Sequence, residues 1–136
     1  MLLEDKIEIK IDKIEYLGLE NSNNPQVRVN LKDSIDDISI DKGKITIITS
    51  RTLECVPKCM FNIFTSFIIN RFIDPTKEKI EIDDIKSDIY KNPNKYIGPA
   101  FSLSSCIIST LISTGGNLPI ITPPNFTTNT KKDAVK

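Results

Sequence analysis

The chain has 136 residues, its 18 Lys and Arg balance 18 Asp and Glu, and 39% of its residues are hydrophobic. This length is typical of one domain with an adequate core, and the zero net charge argues against a nucleic-acid or anionic-membrane partner. Histidine is absent, which excludes a His-based catalytic triad and removes the most common metal ligand in proteins.

The cysteines are few and odd in number: Cys55, Cys59 and Cys106. Glu4 and Asp5 follow the apolar N-terminal residues at once, so no secretory signal peptide is expected. These observations predict reduced thiols and a cytoplasmic protein. Cys55 and Cys59 would need two further ligands to hold zinc, so we predict two ordinary buried thiols and no metal site.

The N-terminal part of the chain predicts β-strands. Residues 6–11 alternate between charged residues and isoleucine, which is the period of a half-buried strand. The alternation slips at Lys13, and a β-bulge near Asp12 and Lys13 would explain the slip. Residues 27–31 alternate in the same way and predict a second strand, after an Asn-rich turn that ends at Pro25.

A hairpin leads to the third strand. The largely polar residues 33–37 indicate a loop or a twist in the second strand, which resumes at residues 38–40. The sequence Asp41-Lys42-Gly43-Lys44 is typical of a hairpin connection. The β-branched run that begins at Ile45 predicts the third strand, which ends at Pro57.

The next two segments are predicted from their periodicity. Residues 60–73 fit both a strand and a helix, but their isoleucines and the following Asp74-Pro75 favour a fourth strand. Residues 80–90 place Ile82, Ile85 and Ile89 at helical spacing and predict a short amphipathic helix.

The stretch from Tyr96 to Thr130 contains no charged residue. It begins with a helical stripe, interrupted by Ser104, that consists of Ile97, Phe101, Ile108 and Leu111. Gly115-Gly116 predicts the end of that helix, and the prolines beyond it favour an extended apolar loop. The most apolar part, about twelve residues, is shorter than the roughly 20 that span a bilayer, so we predict no membrane insertion.

Four strands followed by helices predict an α+β fold. We expect a four-stranded antiparallel sheet, with a long C-terminal helix and a Pro-rich apolar loop packed on one side. Residues 1–130 are assigned to this single domain, and residues 131–136 to a charged flexible tail.

Little in the sequence points to catalysis. The residues around the first helix include an acidic cluster, typical of a solvated face, formed by Glu81, Asp83, Asp84 and Asp88. The Gly115-Gly116 pair lacks the residues that surround a phosphate-binding loop, and Cys106 has no neighbouring base to activate it. The apolar loop favours either an ordinary core or a groove that receives apolar segments of another chain.

The C-terminal stretch ISTLISTGGNLPIITPPNF resembles the SecB-type protein-export chaperones. In that family a long helix closes at glycine and leads through a Pro-containing apolar loop to Pro-x-Asn-Phe. Gly115, Pro119, Asn125 and Phe126 carry this motif, while IEYLGLENSNNPQ and VRVNL resemble the family's first two strands.

The resemblance implies an ATP-independent holdase, without cofactor, that binds unfolded or preprotein clients in apolar grooves. It also implies a homodimer that pairs into a homotetramer. Glu20 matches an acidic residue of the family that faces the preprotein translocase motor, and Glu15 would replace the neighbouring acidic position, which falls on Tyr16. The residues that we expect to line the client groove are Val27, Val29, Leu31, Phe101, Leu118, Ile120, Ile121 and Phe126.

This sequence also departs from the family pattern. Ser105 and Cys106 stand where the long helix usually carries Arg and Glu, Thr114 replaces the arginine before the closing glycine, and Ser102 replaces a proline. The last ten residues lack an amphipathic period, so the second C-terminal helix of the family is nearly absent. The alternative hypothesis is a dedicated chaperone or assembly partner of one specific protein on the same fold, for example an antitoxin-associated chaperone.

Overall fold

The computed structural model describes residues 3–19, 28–56, 61–73, 81–114 and 120–127. These residues form one four-stranded antiparallel sheet and two helices, which confirms the predicted α+β class. The elements are β1 (Leu3–Gly18), β2 (Arg28–Asp41), β3 (Lys44–Val56), β4 (Phe61–Ile73), α1 (Ile82–Lys91) and α2 (Pro93–Thr114). The predicted glycine closure of α2 and the predicted tail lie outside the described residues.

The strands are ordered β1-β4-β3-β2, and each neighbouring pair is antiparallel. β1 and β2 are therefore the two edge strands. Lys42 and Gly43 join β2 to β3 with φ values of 51° and 77°. Positive φ at both central residues is the type I′ pattern, whose twist matches that of the flanking strands. The predicted hairpin is confirmed.

Three register shifts interrupt the strand pairing, one of them near the start of β1, between Leu3 and Ile7. The other two bear on the predictions. One lies between Ile11 and Lys13 in β1, which confirms the predicted bulge. The other lies between Ile35 and Asp37, so the polar stretch of β2 is a bulge within a continuous strand and not a loop. The ambiguous segment 60–73 forms β4 from Phe61 onward, as its β-branched composition favoured.

The core lies between the sheet and the helices and has two apolar parts. We call the first the large cluster, and its buried members are Ile38, Ile45, Ile47, Phe67, Ile69, Ile73, Ile85, Ile89, Tyr96, Ile97, Ala100 and Phe101. We call the second the small cluster, and its buried members are Leu53, Cys55, Phe61, Ile63, Ile108 and Ile112. Both clusters contain residues of β3, β4 and α2, so α2 crosses both parts of the core.

The buried stripe of α2 differs in two places from the predicted one. Ile112 is fully buried at the position expected for Leu111, which is only half-buried. Ser104 continues the buried face, because its hydroxyl lies 2.8 Å from the hydroxyl of Thr65 in β4. A satisfied hydroxyl pair can be buried at little cost.

α2 is longer than predicted, because it begins at Pro93 and contains Pro99. Proline has no N–H, so Pro99 leaves the carbonyl of Lys95 without its usual helical donor. The Arg71 guanidinium donates to that carbonyl at 3.1 Å, which compensates for the missing bond. With 22 residues, α2 is long and apolar enough to cross a membrane by length and composition alone. Core helices also pass that test, and the buried side chains of α2 pack on the sheet.

Candidate functional site

A polar belt separates the two apolar clusters. Asp33, Arg51 and Thr65 lie side by side in register across β2, β3 and β4. Residues two positions before and after each of them face the helices, and alternate residues of a strand share a face. The belt therefore crosses the face of the sheet that is covered by the helices. Ser104 and Ser105 of α2 are buried as well and complete the belt from the helix side.

Arg51 and Asp33 form a bidentate ion pair at the centre of this belt. The Arg51 Nε and Nη2 atoms donate to the two Asp33 carboxylate oxygens at 2.7 and 2.8 Å. Both side chains are fully buried, and the guanidinium lies 4.9 Å from the centre of the Phe101 ring. A buried pair of this kind is tolerated only when the remaining donors and acceptors also find partners.

Those remaining partners come from residues 120–127, which we call the C-terminal segment. The Arg51 Nη1 atom donates to the Thr122 hydroxyl at 3.0 Å and to the Pro123 carbonyl at 2.6 Å, and Nη2 donates to the Asn125 carbonyl at 2.9 Å. Asp33 accepts from both the N–H and the hydroxyl of Thr127 at 2.9 Å. The ion pair thus binds the C-terminal segment on both sides.

Residues of α2 also form hydrogen bonds with the C-terminal segment. The Ser105 hydroxyl donates to the Thr122 carbonyl at 2.7 Å, and the Ser102 hydroxyl donates to the Pro124 carbonyl at 3.2 Å. The Asn94 side-chain oxygen accepts from the Phe126 N–H at 2.7 Å. The segment contains no helix or strand, so these bonds satisfy main-chain groups that regular structure would otherwise satisfy.

The apolar side chains of this segment lie in different surroundings. Ile120 packs against the small cluster, and the Phe126 ring meets the Phe101 ring edge-on at 5.3 Å. Ile121, between the inward Ile120 and the buried Thr122, is 85% exposed. Ile121 is therefore an isoleucine side chain of this segment that is exposed to solvent.

The structure brings part of the expected client lining together. Leu31 and Ile120 pack on the same small cluster, and Val29 lies two residues before Leu31 on the same face of β2, where it is 41% exposed. Phe101 is fully buried within the large cluster, with the Phe126 ring packed against it, so it belongs to the core and does not line an open groove. Val27 and Leu118 lie outside the described residues, as do Gly115 and Pro119 of the loop motif.

The expected translocase contacts are on the other face of the sheet. Glu15 pairs with Phe64, whose neighbours in β4 face the core, so Glu15 points away from the helices. It is exposed and borders a shallow hollow with Leu17, Asn62 and Phe64. Glu20 lies outside the described residues.

The first helix carries a polar contact that shifts two pKa values. The Tyr96 hydroxyl donates to Asp88, and this hydrogen bond lowers the pKa of the Asp88 carboxyl. Burial, followed by the bond to Asp88, raises the pKa of Tyr96. Because the pair joins α1 to the start of α2, we interpret it as a structural contact.

The cysteines do not form a metal site among the described residues. Cys55 is buried in the small cluster, as predicted. Cys106 is exposed on α2, and Cys59 lies outside the described residues. Within the parts of the chain that the structure describes, no three His, Cys, Asp or Glu side chains are grouped to bind a metal ion.

Sequence reasoning missed the polar belt, although a signal was present. Arg51 occupies the same strand phase as the buried Ile47 and Leu53, and Asp33 occupies the same phase as Leu31. A charged residue at a core position needs a partner of opposite charge when it is buried. Two such residues of opposite charge, on strands joined by a predicted hairpin, could have been paired from the sequence.

Known proteins resemble this chain in structure rather than in sequence. No protein-family model matches the chain, and no curated protein matches it. Among solved structures, a SecB-like chaperone of Mycobacterium tuberculosis, Rv1957, in complex with a ChAD peptide from the HigA1 antitoxin, superposes with a TM-score of 0.67. The match covers 90% of this chain and 88% of the other, at 8% sequence identity. The chain therefore has a SecB-like fold.

Proposed function

We propose that the protein is a non-enzymatic, ATP-independent chaperone that holds apolar segments of unfolded polypeptides. The observation that carries this proposal is the exposed apolar surface beside the small cluster. Ile121 is 85% exposed and Val29 is 41% exposed. Ile121 follows Ile120 in the chain and Val29 shares a strand face with Leu31, and both Ile120 and Leu31 are half-buried and pack on the small cluster. The SecB-like fold, found also in a chaperone that binds a peptide, supports the proposal.

Hydrophobic burial supplies the binding energy in this mechanism. Covering one exposed isoleucine side chain contributes about 1.5–3 kcal/mol, at roughly 25 cal/mol per Å² of apolar surface. Ordering the client opposes this gain, so a few such contacts give weak and reversible binding. That balance suits a holdase, which must release its client without ATP.

The outer edge of β2, which pairs with no strand among the described residues, can add a second, sequence-independent contribution. β2 ends the sheet on one side, and its N-terminal half carries Val29 and Leu31. An extended client could pair with this edge through its main chain and place alternate side chains on the apolar surface. We propose this arrangement for clients that lack a common sequence.

We also propose that the protein is a homodimer or a homotetramer. α2 carries a second apolar stripe, formed by Leu103, Ile107 and Leu111 at a spacing of four residues, and Leu103 is 37% exposed. On the edge strand β1, Ile11 and Ile14 are 46% and 41% exposed. Burying both features against a second copy would remove apolar surface from water.

The second candidate function is that of a chaperone dedicated to one protein. The observation that favours it is the similar structure, which was solved with a peptide from an antitoxin. A dedicated chaperone forms one tight stoichiometric complex, whereas a general holdase binds many unfolded chains weakly. A role in protein export through the translocase motor rests on Glu15 and Glu20, and a cytoplasmic location would follow from either function.

Light scattering provides the direct test. A reduced, unfolded client is diluted from denaturant into buffer without nucleotide, with and without the protein. Suppressed client aggregation, together with a dimer or tetramer mass for the protein alone, is the expected result. A monomer that leaves aggregation unchanged would contradict the holdase proposal, and binding to only one client among several would favour the dedicated chaperone.

A further inference from the structure

The polar belt does more than fill the middle of the core. Most hydrogen bonds from β3 and α2 to the C-terminal segment go to its main chain. They involve the carbonyls of Thr122, Pro123, Pro124 and Asn125 and the N–H of Phe126. Such contacts do not depend on the side chains of the segment. They fix where the chain runs, and they leave open which apolar residues it carries.

We infer that Arg51, Asp33 and Ser105 are positioning residues for client binding, because they hold the C-terminal segment so that Ile121 faces the client. This inference rests on the proposed chaperone function. Thr122 is 3% exposed and is held by both Arg51 and Ser105. Since Ile121 directly precedes it, the anchor at Thr122 sets the direction of the Ile121 side chain.

The anchoring also lowers the cost of binding. An unanchored apolar loop would cover the apolar surface of its own domain. A client would then have to displace the loop from that surface and order it, and both steps would cost binding free energy. Here the buried ion pair and Ser105 have already ordered the segment. The client gains the contact with Ile121 without ordering the loop that carries it.

Two adjacent serines allow a matched test. Ser105 and Ser104 are both buried on α2 and both form a hydrogen bond, but Ser105 bonds to Thr122 and Ser104 bonds to Thr65 of β4. Ser105→Ala removes an anchor of the segment, whereas Ser104→Ala removes a bond between the helix and the sheet. Each variant leaves one buried polar group without its partner, so similar losses of global stability are expected.

Hydrogen exchange reports the anchoring directly. The Phe126 and Thr127 amides are bonded to Asn94 and Asp33, so loosening the segment exposes them to exchange. We expect Ser105→Ala to speed exchange at these two amides about five- to tenfold, and to raise the Kd for a fluorescent unfolded client by a similar factor. We expect Ser104→Ala to change neither quantity.

The outcomes separate this inference from the proposed function. The inference is wrong if the two serine variants weaken client binding equally and show the same exchange rates at the Phe126 and Thr127 amides. If Ser105→Ala speeds exchange but client binding stays at the wild-type value, the segment is anchored as described but does not position a client contact. If the wild-type protein binds no client, the proposed function fails, and the exchange data still test the anchor.

Discussion

The Arg51 guanidinium and the Asp33 carboxylate face each other across β3 and β2, and neither side chain is exposed to solvent. Their two hydrogen bonds, 2.7 and 2.8 Å long, use one edge of the guanidinium. Its remaining donors reach residues of the C-terminal segment that are more than 70 positions away along the chain. One ion pair thus joins two strands and a non-regular segment.

Removing one member of this pair should be severely destabilising. Arg51→Met leaves the Asp33 carboxylate buried without its counter-charge, and the expected loss in the free energy of unfolding is about 3–5 kcal/mol. Urea denaturation measures this loss. The matched control is Lys13→Met, which removes an exposed pair with Glu15 at 3.8 Å and should cost less than about 1 kcal/mol. Equal losses in the two variants would contradict the assigned role.

Replacing both members should cost less than replacing one. In the double variant Arg51→Met with Asp33→Leu no buried charge remains, so much of the stability lost in the single variant should return. The C-terminal segment would still lack its anchor in this variant. A double variant no more stable than Arg51→Met would show that the buried charge was not the main cost.

Ile121 offers a test of client binding that leaves the fold intact. Ile121→Ser removes a side chain that is 85% exposed, so the free energy of unfolding should change by less than about 0.5 kcal/mol. The affinity for an unfolded client should fall at least about tenfold, because an apolar contact of about 1.5–3 kcal/mol is lost. Fluorescence anisotropy with a labelled client measures the change.

Tyr90→Ser is the control for that experiment. Tyr90 is also a large exposed side chain, at 61%, but it lies on α1 and not beside the small cluster. Its replacement should leave client affinity unchanged. A similar loss in both variants would indicate non-specific apolar attraction, and no loss in Ile121→Ser would remove this residue from the client surface.

The Tyr96–Asp88 contact predicts a pH dependence of stability. The Tyr96 hydrogen bond lowers the pKa of Asp88 in the folded state, so this stabilisation is present above the unfolded pKa of about 3.9 and is lost as pH falls through the folded value. Burial and the bond to Asp88 raise the pKa of Tyr96, so its stabilisation is present below about pH 10 and is lost above it.

Tyr96→Phe should therefore reduce the dependence of stability on pH in both ranges. Some dependence near pH 4 should remain, because Asn92 and Lys95 also bond to Asp88. Urea midpoints between pH 3 and pH 11 provide the measurement. Tyr90→Phe, at an exposed position, should retain the wild-type profile, and an unchanged profile in Tyr96→Phe would show that the contact contributes little.

A substitution in the hairpin between β2 and β3 should increase the stability of the fold. Lys42 adopts a φ of 51°, a left-handed conformation that disfavours most residues and that asparagine tolerates. Lys42→Asn would create the Asn-Gly pair preferred in type I′ turns, and it should raise the free energy of unfolding by about 0.5–1 kcal/mol. Thermal unfolding tests this expectation. Lys42→Ala lacks the short polar side chain that lets asparagine tolerate this conformation and should give no gain, so equal effects of the two changes would contradict the explanation.

Much of the fold could be predicted because the responsible patterns are local. The alternation in residues 6–11, the slip at Lys13 and the Lys42-Gly43 turn each depend on neighbouring residues. The stripe of α2 was also predicted in outline, since its period is that of the helix itself. The resemblance carried by the C-terminal motif implied the SecB-like fold, and the superposition on a SecB-like chaperone confirms that fold.

The candidate site was only partly predictable. Leu31 and Ile120 were expected to share one surface, and the structure brings them to the same cluster. Phe101 was expected beside them, but apolar character cannot distinguish a groove from a core, and the structure buries this residue under Phe126.

The sequence by itself determined which segments are strands and helices, and which of their faces are apolar, because both depend on residue spacing along a few turns or strand positions. Only the tertiary structure decided that Asp33, Arg51, Ser105 and Thr122 would meet. These residues come from two strands, a helix and a loop, and Arg51 and Thr122 are 71 positions apart. Their hydrogen bonds are favourable only after the sheet and α2 have excluded water, so the contact depends on how the elements pack and not on their local sequences.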